Sequence, residues 1–116
     1  METIKYIEIE PSNYRLHVHV GSRRFVPPEE IQHLESDLNY TLISLINGKT
    51  ILSSTTLKKI ESRLVSFKNF VRVNKSAIVN LDFVENHEDV GFLLPDKRIL
   101  AFSRRKGKAW KERILS

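Results

Sequence analysis

The sequence predicts a mainly β domain with one medium α-helix and one or two short helices. Short runs such as Ile4 to Glu10 and Tyr14 to Val20 alternate between apolar and polar residues, and this period of two is typical of half-buried strands. Asn47-Gly48 stands between two β-branched runs and is a strong hairpin signal. Convincing helical spacing over two turns is found only around Leu57 to Leu64, so short strands are predicted to build most of the fold.

The first two alternating runs predict a β-hairpin over residues 1–22, with its turn at Pro11-Ser12-Asn13. His17 and His19 share one face of the second strand. Two imidazoles without a third ligand nearby indicate a solvated strand face rather than a metal site. The length of 116 residues predicts a single domain.

The middle of the chain predicts three strands followed by the medium helix. Pro27-Pro28 excludes a helix immediately before it and leaves room for one brief turn. Leu57, Ile60 and Leu64 recur at i, i+3 and i+7, which predicts a helix face buried against a sheet. The expected elements are strands over residues 31–35, 40–46 and 50–53, and a helix that is capped by one of residues 54–56 and ends near residues 67–69.

The stretch from Phe70 to Asn80 begins as a strand, with Arg72 and Asn74 on its polar face. Ser76 is then a good helix N-cap, and the short apolar run after it predicts one helical turn. Lys75 and the amide side chain before it would point outward there, where they can meet phosphates and base edges. An ordinary strand-to-turn corner with a solvated lysine is the alternative.

The last part of the chain predicts a strand, a hairpin and a short helix. Pro95-Asp96-Lys97 is turn-like and stands between two apolar runs. Trp110 and Ile114 lie one helical turn apart in the tail, although Gly107 is a poor helix former. The expected elements are strands over residues 83–87, 90–94 and 98–102, and a helix over residues 106–115.

The basic charge is concentrated in the second part of the chain. Residues 1–66 hold eight basic and eight acidic residues, whereas residues 67–116 hold eleven and six, so the whole formal net charge of +5 lies there. Such an excess indicates a polyanionic partner, without distinguishing DNA from RNA or a membrane surface. The run from Ser103 to Lys106 supplies two arginines, which can donate to guanine or clamp a phosphate.

Several classes of protein and site lack the residues that they require. The chain has no cysteine, which excludes disulfides, thiolate metal sites and cysteine nucleophiles. It has no Gly-rich phosphate loop, no G-x-S-x-G motif and no His/Glu metal spacing on a helix, and no apolar run as long as a membrane span. We therefore expect a cytoplasmic protein that is not an enzyme, with no catalytic residues, no metal, no cofactor and no membrane partner.

Four motifs in the chain resemble those of LytTR DNA-binding domains, and they occur in the family's order. The stretch from Phe70 to Asn80, FVRVNKSAIVN, resembles the core motif of the family. Glu30 to Tyr40, Thr56 to Glu61 and Phe102 to Arg105 resemble its other three segments. The resemblance covers residues 23–115. It implies a LytTR-like DNA-binding domain over residues 23–116 and leaves the hairpin of residues 1–22 as an N-terminal extension or a dimer contact.

The resemblance implies an elongated, mostly β domain that binds double-stranded promoter DNA as a bacterial transcriptional regulator. Loops, rather than a recognition helix, would enter successive major grooves. The sequence contains no receiver domain, so a stand-alone effector is implied, and two copies on repeated half-sites are a further expectation. By position, the implied base-reading residues are Asn39 or Tyr40 in the first loop, Lys75 in the second and Arg105 in the third, and the phosphate-contacting residues are Ser76, Arg104, Lys106 and Lys108.

Two departures from the family pattern fall in the loops. Asn74 stands where histidine is commoner, and Leu38 replaces a frequent glycine, so the resemblance does not give the shape of the first loop. A hypothesis of another class is a β-rich interaction module whose basic end binds a protein, an RNA or another polyanion. The two hypotheses differ in one requirement, because reading bases needs Lys75 and Arg105 on one exposed edge.

Overall fold

The computed structural model describes residues 17–21, 23–67, 69–87 and 89–115, with side chains as far as residue 112. Within these residues the protein consists of three antiparallel sheets and two α-helices. It measures 46 × 31 × 24 Å along its principal axes. The mainly β, elongated fold predicted from the sequence is confirmed.

The elements of the described residues are short and are numbered here in chain order. The strands are β1 (Val18–Gly21), β2 (Arg24–Val26), β3 (Ile31–Asp37), β4 (Tyr40–Leu45), β5 (Thr50–Ser53), β6 (Phe70–Asn74), β7 (Ala77–Asn80), β8 (Asn86–His87), β9 (Gly91–Leu93) and β10 (Ile99–Ala101). The helices are α1 (Leu57–Leu64) and α2 (Arg104–Leu115), and single 3-10 turns are formed by Pro28–Glu30 and Leu81–Phe83.

The largest sheet has five strands in the order β5-β4-β3-β7-β6. A β3-β4-β5 meander and a β6-β7 hairpin join where β3 pairs with β7. Glu35 lies opposite Ala77 in this pairing, and the Ser36 N–H donates to the Ser76 carbonyl at 2.8 Å. The turn after β3 and the turn before β7 therefore leave the sheet at the same end.

Helix α1 covers one face of this sheet through the predicted apolar stripe. Leu57, Ile60 and Leu64 are all buried and pack into one hydrophobic core with residues of β1, β3 and β4. The Thr56 side chain caps the first turn, within the predicted range. The helix ends earlier than predicted because the chain turns at once. The Phe67 N–H donates to the Leu64 carbonyl, and the Phe67 ring packs against the same core.

Strand β1 belongs to this core as well. Val18 and Val20 are buried in it, and the Val20 carbonyl accepts a hydrogen bond from the Ser53 hydroxyl. The strand pairs with β2, whereas its predicted hairpin partner, residues 4–10, lies outside the described residues. Strand β1 lies within residues 1–22 and is part of the core. The prediction of a separate N-terminal extension can therefore apply only to the residues before β1.

A second hydrophobic cluster covers the opposite face of β6 and β7. Val73 and Val79 from these strands pack with Phe92 and Leu100 of the three-stranded β10-β9-β8 sheet. Trp110 of α2 meets Phe92 edge-on, with 5.0 Å between the ring centroids. The strand β7 therefore contributes side chains to two hydrophobic clusters, one on each face of the sheet.

The helical turn predicted after Ser76 is wrong, because Ala77–Asn80 is strand β7 and all four of its residues are buried. A strand covered on both faces has a continuous apolar run instead of an alternating one, and periodicity does not distinguish such a run from a buried helical turn. The strand predicted over residues 83–87 is shortened to Asn86–His87, because the chain first makes the 3-10 turn Leu81–Phe83.

A buried histidine joins β3 to the β9–β10 turn. Arg98 donates from Nη2 to His33 Nε2 at 2.9 Å and to Glu35 Oε1 at 2.8 Å. His33 Nε2 also lies 3.1 Å from Glu35 Oε1, and Nδ1 lies 3.1 Å from Gln32 Oε1. Burial lowers the pKa of His33; the Glu35 and Asp96 carboxylates oppose this shift, and the Arg98 charge adds to it.

Folding stability should fall as the pH is lowered through the His33 transition. The pKa of His33 is lower in the folded protein than in the unfolded chain, so the unfolded chain binds more protons below about pH 6.5. This contribution is fully present above that pH and is lost as the pH falls toward the folded-state pKa. Denaturant melts between about pH 5 and 8 measure the slope. His33→Gln should have a flatter profile, and equal slopes for the two proteins would contradict the prediction.

Candidate nucleic-acid interface

Three segments of the chain meet at one end of the five-stranded sheet, which we call the loop end: the β3–β4 turn (residues 38–39), the β6–β7 turn (residues 75–76) and the start of α2 (residues 103–106). The first two are neighbours because β3 pairs with β7. The Ser103 N–H donates to the Val73 carbonyl at 3.0 Å, and this bond ties the third segment to β6. The loop end is thus assembled from distant parts of the sequence.

The β3–β4 turn carries the first two predicted base-reading residues. Asp37 pairs with Tyr40 in the ladder, so Leu38 and Asn39 form a two-residue hairpin turn. Leu38 has a φ of 58°, in the left-handed region that favours glycine, and its side chain is 93% exposed. Asn39 and Tyr40 are exposed beside it. The chain therefore makes a left-handed turn here without the glycine that is frequent in the family.

The β6–β7 turn is held by side chains on two sides. Asn74 Oδ1 accepts from the Ser76 N–H at 2.7 Å, and Asn74 Nδ2 donates to the Ala101 carbonyl at 2.7 Å. Arg72 donates to the carbonyls of Asn74 and Lys75. Lys75 and Ser76 are left exposed at the tip. The half-buried Asn74 lies beside Lys75, and both ends of its amide are bonded to the protein's own backbone.

Basic residues occupy the first turn of α2, which begins at Arg104 instead of the predicted residue 106. The Ser103 hydroxyl accepts from the Lys106 N–H at 3.2 Å and so caps the helix. Arg104, Arg105 and Lys106 are all exposed. Cations at the positive end of a helix dipole are unfavourable by themselves, but together with unpaired N–H groups they form a favourable place for an anion such as phosphate.

An open groove at the loop end brings the second and third segments together. It is lined by Arg72, Asn74, Lys75, Ser103, Arg105 and Lys106. Two predicted base-reading residues, Lys75 and Arg105, therefore lie on one groove. The other two, Asn39 and Tyr40, are on the adjacent turn and do not line it.

A second open groove runs along another face of α2. It is lined by the basic residues Arg104, Lys108 and Lys111, and by residues that include Asp89 and Val90. The three basic residues are four and three positions apart, so they share one face of the helix. Apart from Arg72, the basic side chains of the two grooves form no ion pair with any residue that the structure describes. Their charge is therefore available to a partner.

A family model for the LytTr DNA-binding domain matches residues 21–115, which include all three segments of the loop end. The chain belongs to the LytTR family. The resemblance inferred from four short motifs is confirmed, and with it the broad function, because LytTR domains are the DNA-binding domains of transcriptional regulators. The family is a DNA-binding family rather than an enzyme family.

Among solved structures, this LytTR chain is similar to the LytTr DNA-binding domain of a Bacillus cereus protein described as a methyl-accepting/DNA response regulator. The TM-score is 0.66 at 15% sequence identity, and the match covers 84% of this chain and 94% of that one. At such low identity the likeness supports the fold alone. No curated protein matches the chain.

The described part of this LytTR chain contains neither a membrane-spanning helix nor a cluster of metal ligands. None of its helices there combines the length and the apolar character needed to cross a bilayer. Within the same residues, no three His, Cys, Asp or Glu side chains are grouped so that they could hold a metal ion.

Proposed function

We propose that this LytTR protein is a bacterial transcriptional regulator that binds double-stranded promoter DNA by sequence, with its loop end entering successive major grooves. The observation that carries the proposal is the groove shared by Lys75 and Arg105. These long cationic side chains come from distant parts of the chain and are both exposed. If Lys75 and Arg105 were only solvated, nothing would require them to lie on one groove. Base reading by two loops does require it.

Base reading is assigned in this proposal to Lys75, to Arg105 and to either Asn39 or Tyr40. An arginine can donate to O6 and N7 of guanine together, a lysine can donate to the same atoms, and an asparagine can pair with N6 and N7 of adenine. The hydrogen bonds that hold the β6–β7 turn support this assignment, because reading a base requires a side chain that starts from a fixed backbone.

Phosphate contact is assigned to Ser76, Arg104, Lys106 and Lys108. Ser76 follows Lys75 in the β6–β7 turn. Arg104 and Lys106 lie in the capped first turn of α2, where N–H groups and cations favour an anion. Lys108 lies on the second groove with Arg104, so it would meet the backbone beside the reading surface. Phosphate contacts of this kind supply affinity and register but carry no sequence information directly.

A binding selection with randomised duplex DNA tests whether the protein reads a sequence. An enriched motif is the expected result, and repeated half-sites within it would support the binding of two copies. If the protein retards all duplexes and no motif is enriched, the alternative of a general polyanion-binding module is favoured.

Arg105→Ala should weaken binding to the selected site by about 1–3 kcal/mol, because a bidentate base contact is lost. On a scrambled duplex the loss should be much smaller, so the ratio of the two affinities should fall. Titrations on both duplexes measure this ratio. Equal losses on the two duplexes would reject base reading by Arg105 and leave it as a phosphate contact.

Lys108→Ala is the matched control for this experiment, because it removes a neighbouring cation of α2 that is assigned to phosphate. It should weaken binding to both duplexes about equally and reduce the slope of log affinity against log salt by about one. A loss confined to the selected site would contradict the assignment of Lys108.

A further inference from the structure

Arg72 connects the β6–β7 turn to helix α1. Its Nε donates to the Asn74 carbonyl at 2.7 Å and its Nη2 to the Lys75 carbonyl at 2.6 Å. Its Nη1 donates to Glu61 Oε1 at 2.6 Å. The side chain is 20% exposed, so one planar guanidinium spans the tip of the turn and the flank of the helix.

These bonds fix the backbone from which Lys75 projects. The carbonyls of Asn74 and Lys75 belong to the two peptide planes on either side of the Lys75 α-carbon, and peptide planes are rigid. Holding both planes sets the direction in which the Lys75 side chain leaves the turn. The Asn74 side chain holds the same turn from the β10 side, through the Ala101 carbonyl.

The charge of Arg72 is already compensated within the protein. Glu61 pairs with it at 2.6 Å, and the two turn carbonyls accept from its remaining nitrogens. Arg72 lines the loop-end groove, but its charge is already paired with Glu61, so it attracts a phosphate less than an unpaired cation does. The free cations of the groove, Lys75 and Arg105, have no such competing ion pair among the described residues.

We propose that Arg72, held by Glu61, is a positioning residue for DNA reading: it aims Lys75 at base edges without contacting DNA itself. The inference rests on the proposed base-reading role of Lys75. It requires arginine in particular, because a lysine at this position keeps the charge and the pair with Glu61 but has a single nitrogen, which cannot span three acceptors on two elements.

The test compares Arg72→Lys, Lys75→Ala and the double variant on the selected and the scrambled duplex. Each single change should lower the ratio of the two affinities, roughly tenfold for the loss of one base contact. The double variant should lose no more than Lys75→Ala alone, because both changes remove the same contact. Additive losses would show that Arg72 acts separately from Lys75 and would overturn the inference.

Two other roles for Arg72 give different results. If Arg72 only stabilised the fold, Arg72→Lys would lower the melting temperature and leave the ratio of affinities unchanged. If it bound a phosphate, lysine would largely replace it, and Arg72→Lys would bind both duplexes nearly as the parent protein does. Either result overturns the positioning role.

Hydrogen exchange in the DNA-free protein separates failure of this inference from failure of the proposed function. The Ser76 amide, which donates to Asn74, should exchange several-fold faster in Arg72→Lys. It should not change in Lys58→Met, which removes an exposed cation of α1. Unchanged exchange in Arg72→Lys overturns the positioning role alone. Faster exchange, combined with an unaltered ratio in Lys75→Ala, overturns base reading by Lys75 and this inference with it.

Discussion

Leu64→Ala should lower the free energy of unfolding by about 2–5 kcal/mol, through the lost transfer energy of the side chain and the cavity left behind. Leu64 is 2% exposed at the end of α1 and packs in the core that joins the helix to β1, β3 and β4. The Phe67 side chain, which is partly buried, packs against the same core. Denaturant melts of the purified protein measure the change.

The adjacent residue supplies the control. Val65 is 82% exposed, so Val65→Ala removes methyl groups from solvent rather than from the core, and its effect should stay within about 0.5 kcal/mol. Similar small losses for Leu64→Ala and Val65→Ala would show that α1 is peripheral to the cooperative unit.

Asn80→Ala should cost on the order of 2–4 kcal/mol, because it leaves buried polar groups without partners. The Asn80 side chain is completely buried at the end of β7. Its Nδ2 donates to the Ile31 carbonyl at 2.8 Å, and its Oδ1 accepts from the Asp82 N–H at 2.9 Å and from Asn69 Nδ2 at 2.7 Å. The expected loss is measured in the same melts.

Asn80→Asp distinguishes this hydrogen-bond explanation from a simple loss of volume. At neutral pH the variant places a buried carboxylate against the Ile31 carbonyl, so it should be at least as unstable as Asn80→Ala. Burial raises the pKa of such a carboxyl, and its protonated form can donate to that carbonyl. The variant should therefore recover relative to Asn80→Ala as the pH is lowered, and no recovery would contradict the assigned partners.

Local patterns predicted the elements that bury one face. The stripe of α1 and the Asn47-Gly48 turn between β4 and β5 were both identified from a few residues, because a period of 3.6 or a turn dipeptide is a property of adjacent positions. No local pattern identifies strand β7 as a strand, because residues that are distant in the sequence cover both of its faces. Asn80 shows the same limit: its three partners lie on β3 and on the segments directly before β6 and after β7, and no spacing in the sequence marks them.

The candidate site was predictable through its motifs but not through local chemistry. The resemblance identifies Lys75 and Arg105, but the residues next to them in the sequence do not predict that β6 and α2 meet at one groove. The alternation of β6 predicts that Arg72 lies on the polar face of the strand, but a polar face indicates only contact with water. Its bonds to Glu61 and to the turn carbonyls depend on how α1 lies against the sheet. The sequence offers one signal for the role of Arg72: it stands three positions before Lys75 in the core motif.

The pairing of β3 with β7 determines when the loop end can exist during synthesis. The β3-β4-β5 meander joins neighbouring stretches and can form from chain that has already left the ribosome. Its partner β7 lies about forty residues beyond β3, and the segment at 103–106 follows later still, so loop-closure entropy must be overcome twice before the third segment is in place. A nascent or prematurely terminated chain that ends between Asn80 and Ser103 therefore contains β3 and β7 but lacks the third segment of the loop end.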